Sequence, residues 1–95
     1  MRDTHSLATI RYTVRAAIAA RTVGDELVLL DLDSGMYYSL NGVGSFVWTR
    51  IQQGAPTDEV VAAIVAEYDV DAETATREVS AFLHELTRAG LVSAG

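Results

Sequence analysis

The stretch DLDSGMYYSLNGVGSFVW, Asp31 to Trp48, decides the fold, because the hydrophobic period changes inside it. In MYYSL (Met36–Leu40) strand alternation puts Tyr38 and Leu40 on one face and Tyr37 and Ser39 on the other. From Asn41 onward the period is helical: Val43, Phe46, Val47 and Ile51 fall on one face. Ahead of both, DSG (Asp33–Gly35) reads as a hairpin turn with glycine supplying positive φ. The stretch holds two of the chain's four tyrosines and its one tryptophan, yet no Cys, His or Lys. Two adjacent tyrosines therefore need a role that is not chemistry.

Upstream, ELVLLDL (Glu26–Leu32) is a strand with Val28, Leu30 and Leu32 on one face and Leu27, Leu29 and Asp31 on the other. Four consecutive apolar residues suggest that both its faces are at least partly covered. AIAARTV is a weaker strand ending at the turn pair Gly24-Asp25, which makes a three-stranded antiparallel meander. Leu7–Val14 is a candidate for a further strand; residues 1–15 otherwise read as a tail and residues 16–95 as one domain.

Downstream, Gly54 and Pro56 stop the first helix. Thr57 is the expected N-cap of a second, with Asp58 and Glu59 in its first turn and Val60, Val61, Ile64, Val65 and Tyr68 as its buried stripe. Asp71 caps a third helix whose apolar positions are Ala75, Val79, Phe82, Leu83 and Leu86. Gly90 sits at its C′ position, and Leu91 and Val92 fold back behind it. The class is α+β, in the order β3α3, and the meander must lay one face on the helices because it is not stable alone.

Composition narrows function. The chain has 95 residues, 49% of them hydrophobic, and no Cys, so neither a disulfide framework nor a thiolate site is available. No apolar run reaches the roughly 18 residues of a membrane span, and the expected location is cytoplasmic. The net charge of −6 is uneven: residues 1–24 carry +3 and residues 25–95 carry −9. A body this acidic repels phosphates, so nucleic acid is not an expected partner. A winged-helix DNA reader would also present its third helix, which here carries Glu73, Glu78 and Glu85 against Arg77 and Arg88.

Catalytic constellations are missing. His5 and His84 are far apart, and no Ser has a His at a credible distance. Asp31 and Asp33 flank a turn, which explains them better than acid–base work. Gly42-Val43-Gly44 lacks the rest of any phosphate-cradling fingerprint and reads as close packing where the helix begins. No cofactor or metal is expected. What remains is binding. MYYSL ends the meander, so one edge carries unpaired N–H and C=O groups, and it has none of the Lys, Pro or bulges that blunt such edges.

The sequence also resembles a known family. LVLLDLDSGMYYSLNGVGSFVW, then GAPTDEVVAAIVAEYDVD, then VSAFLHELTRAGLV look like the PqqD-like family, the RiPP recognition elements, over roughly residues 16–92. The resemblance implies a winged-helix-like β3α3 fold without catalysis of its own. It implies capture of the leader peptide of a ribosomally made precursor, added as a strand to the third strand and clamped against the third helix. The pattern is closer to the stand-alone proteins of lasso-peptide maturation, which work with a leader peptidase. The alternative is a peptide chaperone for a radical-SAM enzyme. The peptide-binding residues so implied are Met36, Tyr37, Tyr38, Ser39 and Leu40 on the strand and Ala75, Val79, Phe82, Leu83 and Leu86 on the helix; Val79, Leu83 and Leu86 read equally as inward packing, which leaves Phe82 and the Ala75–Ser80 flank as groove wall. A short strand would offer about five backbone hydrogen bonds. The protein is expected as a monomer, or as a dimer if the open edge or the N-terminal segment exchanges strands.

Overall fold

The computed structural model describes residues 10–40 and 42–94. His5, Asn41 and the start of the candidate strand at Leu7 lie outside them. Three strands form the expected meander: β2 (Ile18–Val23), β3 (Glu26–Asp31) and β4 (Tyr37–Leu40), antiparallel and in that spatial order. Gly24 and Gly35 carry positive φ at its two turns. Three helices follow: α1 (Gly42–Gln52), α2 (Thr57–Tyr68) and α3 (Ala72–Arg88). A strand does form at Tyr12–Val14 (β1), and it pairs with a C-terminal strand, Val92–Ala94 (β5), instead of the meander. Residues 12–15 are thus packed into the body.

The inner sheet face and the three helices enclose the core. Leu29 and Trp48 have no exposed surface, and Val47, Ile51, Val60, Ile64, Val79 and Leu91 are buried with them. The core face of α1 is rotated from the sequence expectation. Trp48 points inward, whereas Phe46 turns aside to meet Tyr68 edge-on at 5.4 Å and carries Arg50 over its ring at 4.5 Å. Tyr68 itself stays 37% exposed, so it closes the α2 stripe only in part.

The caps also differ in one place. Pro56, not Thr57, is the N-cap of α2 and makes no side-chain cap bond. The Thr57 hydroxyl is used elsewhere, donating at 2.7 Å to the Ile10 carbonyl, which also accepts the Thr57 N–H. Asp71 caps α3 as expected, accepting from the Thr74 N–H at 2.7 Å.

Asp31 is the one buried charged residue among those described. It accepts from the Asp33 N–H at 3.0 Å and the Ser34 N–H at 3.4 Å, and pairs with Arg15 at 2.8 Å. Burial pushes its carboxyl up, but the two N–H groups and the guanidinium together outweigh that and hold it below the usual carboxylate range. Asp71 is held low by its cap bonds to Thr74.

Two outcomes follow. A carboxyl depressed in the folded state stabilises the fold above its unfolded pKa of about 3.9, and that stability is lost as pH falls through the folded value. The urea midpoint should therefore hold from neutral pH to about pH 5 and fall steeply below about 4, and Asp31→Asn should flatten part of that fall. Leu29→Ala, at the centre of the sheet's inner face, should cost about 2–5 kcal/mol in urea unfolding.

Candidate peptide-binding site

The open edge of β4 is defined by its ladder. The Asp31 N–H donates to the Met36 carbonyl at 2.9 Å. Hydrogen-bonded pairs recur at every second position of an antiparallel ladder. With the observed register, the bonded pairs between β3 and β4 are then Leu29–Tyr38 and Leu27–Leu40. The N–H and C=O of Tyr37 and Ser39 point the other way, to an edge that no described strand occupies. That gives four free backbone groups on β4, against the five bonds expected from sequence. Met36 falls outside the strand: its carbonyl continues the ladder to Asp31, but its N–H donates to the Ser34 hydroxyl in the hairpin turn.

Side chains alternate as the strand period requires. Tyr38 and Leu40 are half-buried toward the helices, while Tyr37 is 72% exposed on the outer face. Ser39 also faces outward, and its hydroxyl donates to the Glu26 carboxylate. Below the edge, Leu40, Gly44 and Phe82 meet. A methyl group placed on Gly44 would lie 3.5 Å from the Phe82 ring and 3.7 Å from Leu40 Cβ. The close packing expected at Gly44 is therefore present, and its partner is the α3 aromatic ring.

Of the α3 residues expected at the site, only Phe82 has surface to offer, being half-buried at this junction. Ala75, Val79, Leu83 and Leu86 are each 4% exposed or less. This corrects the expectation that they touch a peptide: they form the inward stripe of α3, and their role is to hold the helix against the core. Ser80 lies on the wrong flank for a groove wall, lining a hollow of about 380 Å³ with Tyr12, Thr57 and His84 beside β1 and β5. The residues one turn either side of Phe82 are Glu78 and Glu85, both exposed. The sequence showed these acids on the third helix only as a surface unsuited to phosphates; a helical wheel centred on Phe82 also shows that they flank the ring.

Among the described residues no cluster of three or more His, Asp or Glu is placed to hold a metal ion. No helix among them is long and apolar enough to cross a membrane.

Residues 26–92 match the protein family described as coenzyme PQQ synthesis protein D (PqqD). The chain belongs to this family. Two solved structures are similar. TbiB1 in complex with the TbiA(beta) leader peptide is 37% identical, with a TM-score of 0.82, covering 85% of this chain and 94% of that one. Lasso peptide synthetase B1 complexed with the leader peptide is 26% identical, with a TM-score of 0.82, covering 87% of this chain and 98% of that one. No curated protein matches the sequence. The PqqD match takes in β3, β4 and all three helices, the elements that build the open edge and the Phe82 junction.

Two substitutions test the geometry. Gly44→Ala should be tolerated, since its φ is ordinary and the added methyl meets only van der Waals contacts. Helix propensity predicts a gain of a few tenths to about 1 kcal/mol by urea unfolding. Phe82→Ala should lower stability by less than the roughly 3–5 kcal/mol typical of a fully buried Phe; a full core cost would mean that the ring is not free to face a groove.

Proposed function

We propose that this protein is a non-catalytic RiPP recognition element. It captures the leader peptide of a ribosomal precursor, by strand addition to β4, and presents it to a leader peptidase. The single observation that carries the reading is the free edge of β4, with Tyr37 and Ser39 offering two N–H and two C=O groups beside an aromatic junction. Both similar solved structures are complexes with leader peptides, and one is of a lasso peptide synthetase subunit, which favours a lasso-peptide pathway over a radical-SAM one.

In this reading an extended leader segment pairs with β4 and alternates its side chains. Those pointing inward sit over Tyr38, Leu40 and Phe82. Those pointing outward lie level with Tyr37. Glu78 and Glu85 place two carboxylates along the helix side, so basic leader residues on that side are favoured and encounter is accelerated at low salt. Tyr is suited to both positions, because its ring gives large contact area with few rotors to immobilise. The paired tyrosines thus serve the two faces of one added strand.

Four backbone bonds and a few apolar anchors, less the ordering of a disordered peptide, place Kd at roughly 10 nM to 1 μM, or about −11 to −8 kcal/mol. The test is an NMR titration of labelled protein with the leader segment of a precursor encoded nearby. Shifts should concentrate at residues 36–40 and around Gly44 and Phe82. Ser39→Pro removes one edge N–H without touching the β3 ladder, so it should weaken the leader at least tenfold and leave the fold in place. Unchanged affinity in that variant would sink the edge mechanism.

A further inference from the structure

α1 carries a cation that the leader reading does not use. Arg50 is half-buried, and its guanidinium lies over the Phe46 ring at 4.5 Å. Phe46 is itself held edge-on by Tyr68 at 5.4 Å, so α2 steadies the platform. Stacking covers one face of the guanidinium and leaves the N–H groups of its fork free in their own plane. Among the described residues no carboxylate lies within ion-pair distance of it; both ion pairs belong to Arg15.

Arg50 and Phe46 line a hollow of about 470 Å³. Ser45, Thr49 and Gln53 of α1, Tyr68 at the end of α2, and Asp25 in the turn between β2 and β3 complete it, with Gly42 at its margin. A hollow of this size that gathers polar groups over a ring has the form of a ligand site. Its chemistry is that of a carboxylate receptor: a fixed guanidinium fork with hydroxyl and amide donors around it. Asp25 on the rim admits one acid and repels a run of them.

We infer that this hollow anchors a single acidic residue of the precursor peptide, outside the segment that pairs with β4. The inference rests on the leader capture proposed above. β4 ends at Leu40, and Gly42 opens α1 immediately beyond it. A strand paired with β4 that runs on past Leu40 therefore leaves the sheet at the start of α1. Arg50 lies about 12 Å farther along the helix axis, at 1.5 Å per residue, a reach of about four to six extended residues. Charge selects the same occupant. An acid beside α3 would meet Glu78 and Glu85, whereas an acid past Leu40 meets Arg50. The two places sort the charges of one peptide, which adds register to the sequence-blind backbone bonds of β4.

The experiment measures three peptides by calorimetry: the full precursor, the segment that the NMR titration maps to β4, and the precursor with the acids flanking that segment replaced by their amides. Wild type is compared with Arg50→Gln and Tyr68→Phe, each checked by circular dichroism. Wild type should bind the precursor at least fivefold tighter than the segment. Arg50→Gln should erase that excess and bind the segment within twofold of wild type. The amide precursor should lose the same factor on wild type and nothing further on Arg50→Gln. Tyr68→Phe, which keeps the ring and removes one donor, should lose at least twofold of the excess, and it stands in if Arg50→Gln does not fold. Equal binding of precursor and segment by wild type, or an equal loss of both in Arg50→Gln, overturns the inference and leaves leader capture intact. A precursor that needs Arg50 although the segment alone does not bind keeps the hollow and removes strand capture. Loss of affinity for the leader peptidase in Arg50→Gln, with precursor binding unchanged, assigns the hollow to the enzyme and overturns the inference.

Discussion

Arg15 holds together the two elements on which the candidate site depends. Its guanidinium binds Asp31 at 2.8 Å and Asp33 at 3.2 Å in the hairpin turn that launches β4, and the Gly90 carbonyl at 2.6 Å just beyond α3. Its backbone N–H donates to the Leu91 carbonyl, and its own carbonyl accepts from Ile18. One residue thus fixes the start of the edge strand relative to the end of the helix that faces it. Hydrogen bonds to both Asp residues hold the guanidinium firmly charged; the one to Asp33 is the largest effect, opposed by some desolvation. An arginine suits this place better than a lysine, since its planar fork reaches three acceptors in different directions. The buried Asp31 carboxylate is tolerable only because its lone pairs are filled by two backbone N–H groups and this fork.

The meander, the order β3α3 and the Asp71 cap were legible because each rests on local chemistry: period, turn glycines, or a capping side chain. What was not legible is non-local. A strand within Leu7–Val14 was legible as a candidate, but its partner was not: β1 and β5 are three residues each, and they pair across nearly the whole length of the sequence. Leu91 and Val92 were read as a fold-back contact after the helix; they are buried as such, but the backbone continues into a strand. Thr57 looked like a cap because its sequence neighbours are right for one, and only the distant Ile10 carbonyl redirects its hydroxyl. In the site, strand alternation placed Tyr37, Tyr38, Ser39 and Leu40 correctly by face. On α3 the apolar residues alone could not say which point to a groove. An apolar stripe looks the same whether it meets a core or a ligand, and burial assigns Ala75, Val79, Leu83 and Leu86 to the core.

The free edge carries a thermodynamic tension. A small domain has a thin margin of stability, and an uncharged, aromatic edge invites pairing with any extended chain. Neither Tyr37 nor Ser39 is a gatekeeper. The adjacent carboxylates compensate in part: Glu26 accepts from Ser39 on the outer face, and Glu78 and Glu85 flank the helix side. Together with the net charge of −6 they disfavour approach of a second copy without obstructing a neutral or basic peptide.

That arrangement links binding to stability. A ligand that binds only the folded state adds about 2.7 kcal/mol at a hundredfold excess over its Kd, a sizeable share of the stability of so small a domain. The peptide that fills the edge removes the surface most prone to misassociation and stiffens β4, the shortest strand of the meander. A longer edge strand would hold a peptide with more backbone bonds, but it would also pair more readily with the wrong chain. Four free groups on four residues keep the backbone contribution modest, so discrimination falls to the side chains at Tyr38, Leu40 and Phe82 on one face and Tyr37 on the other.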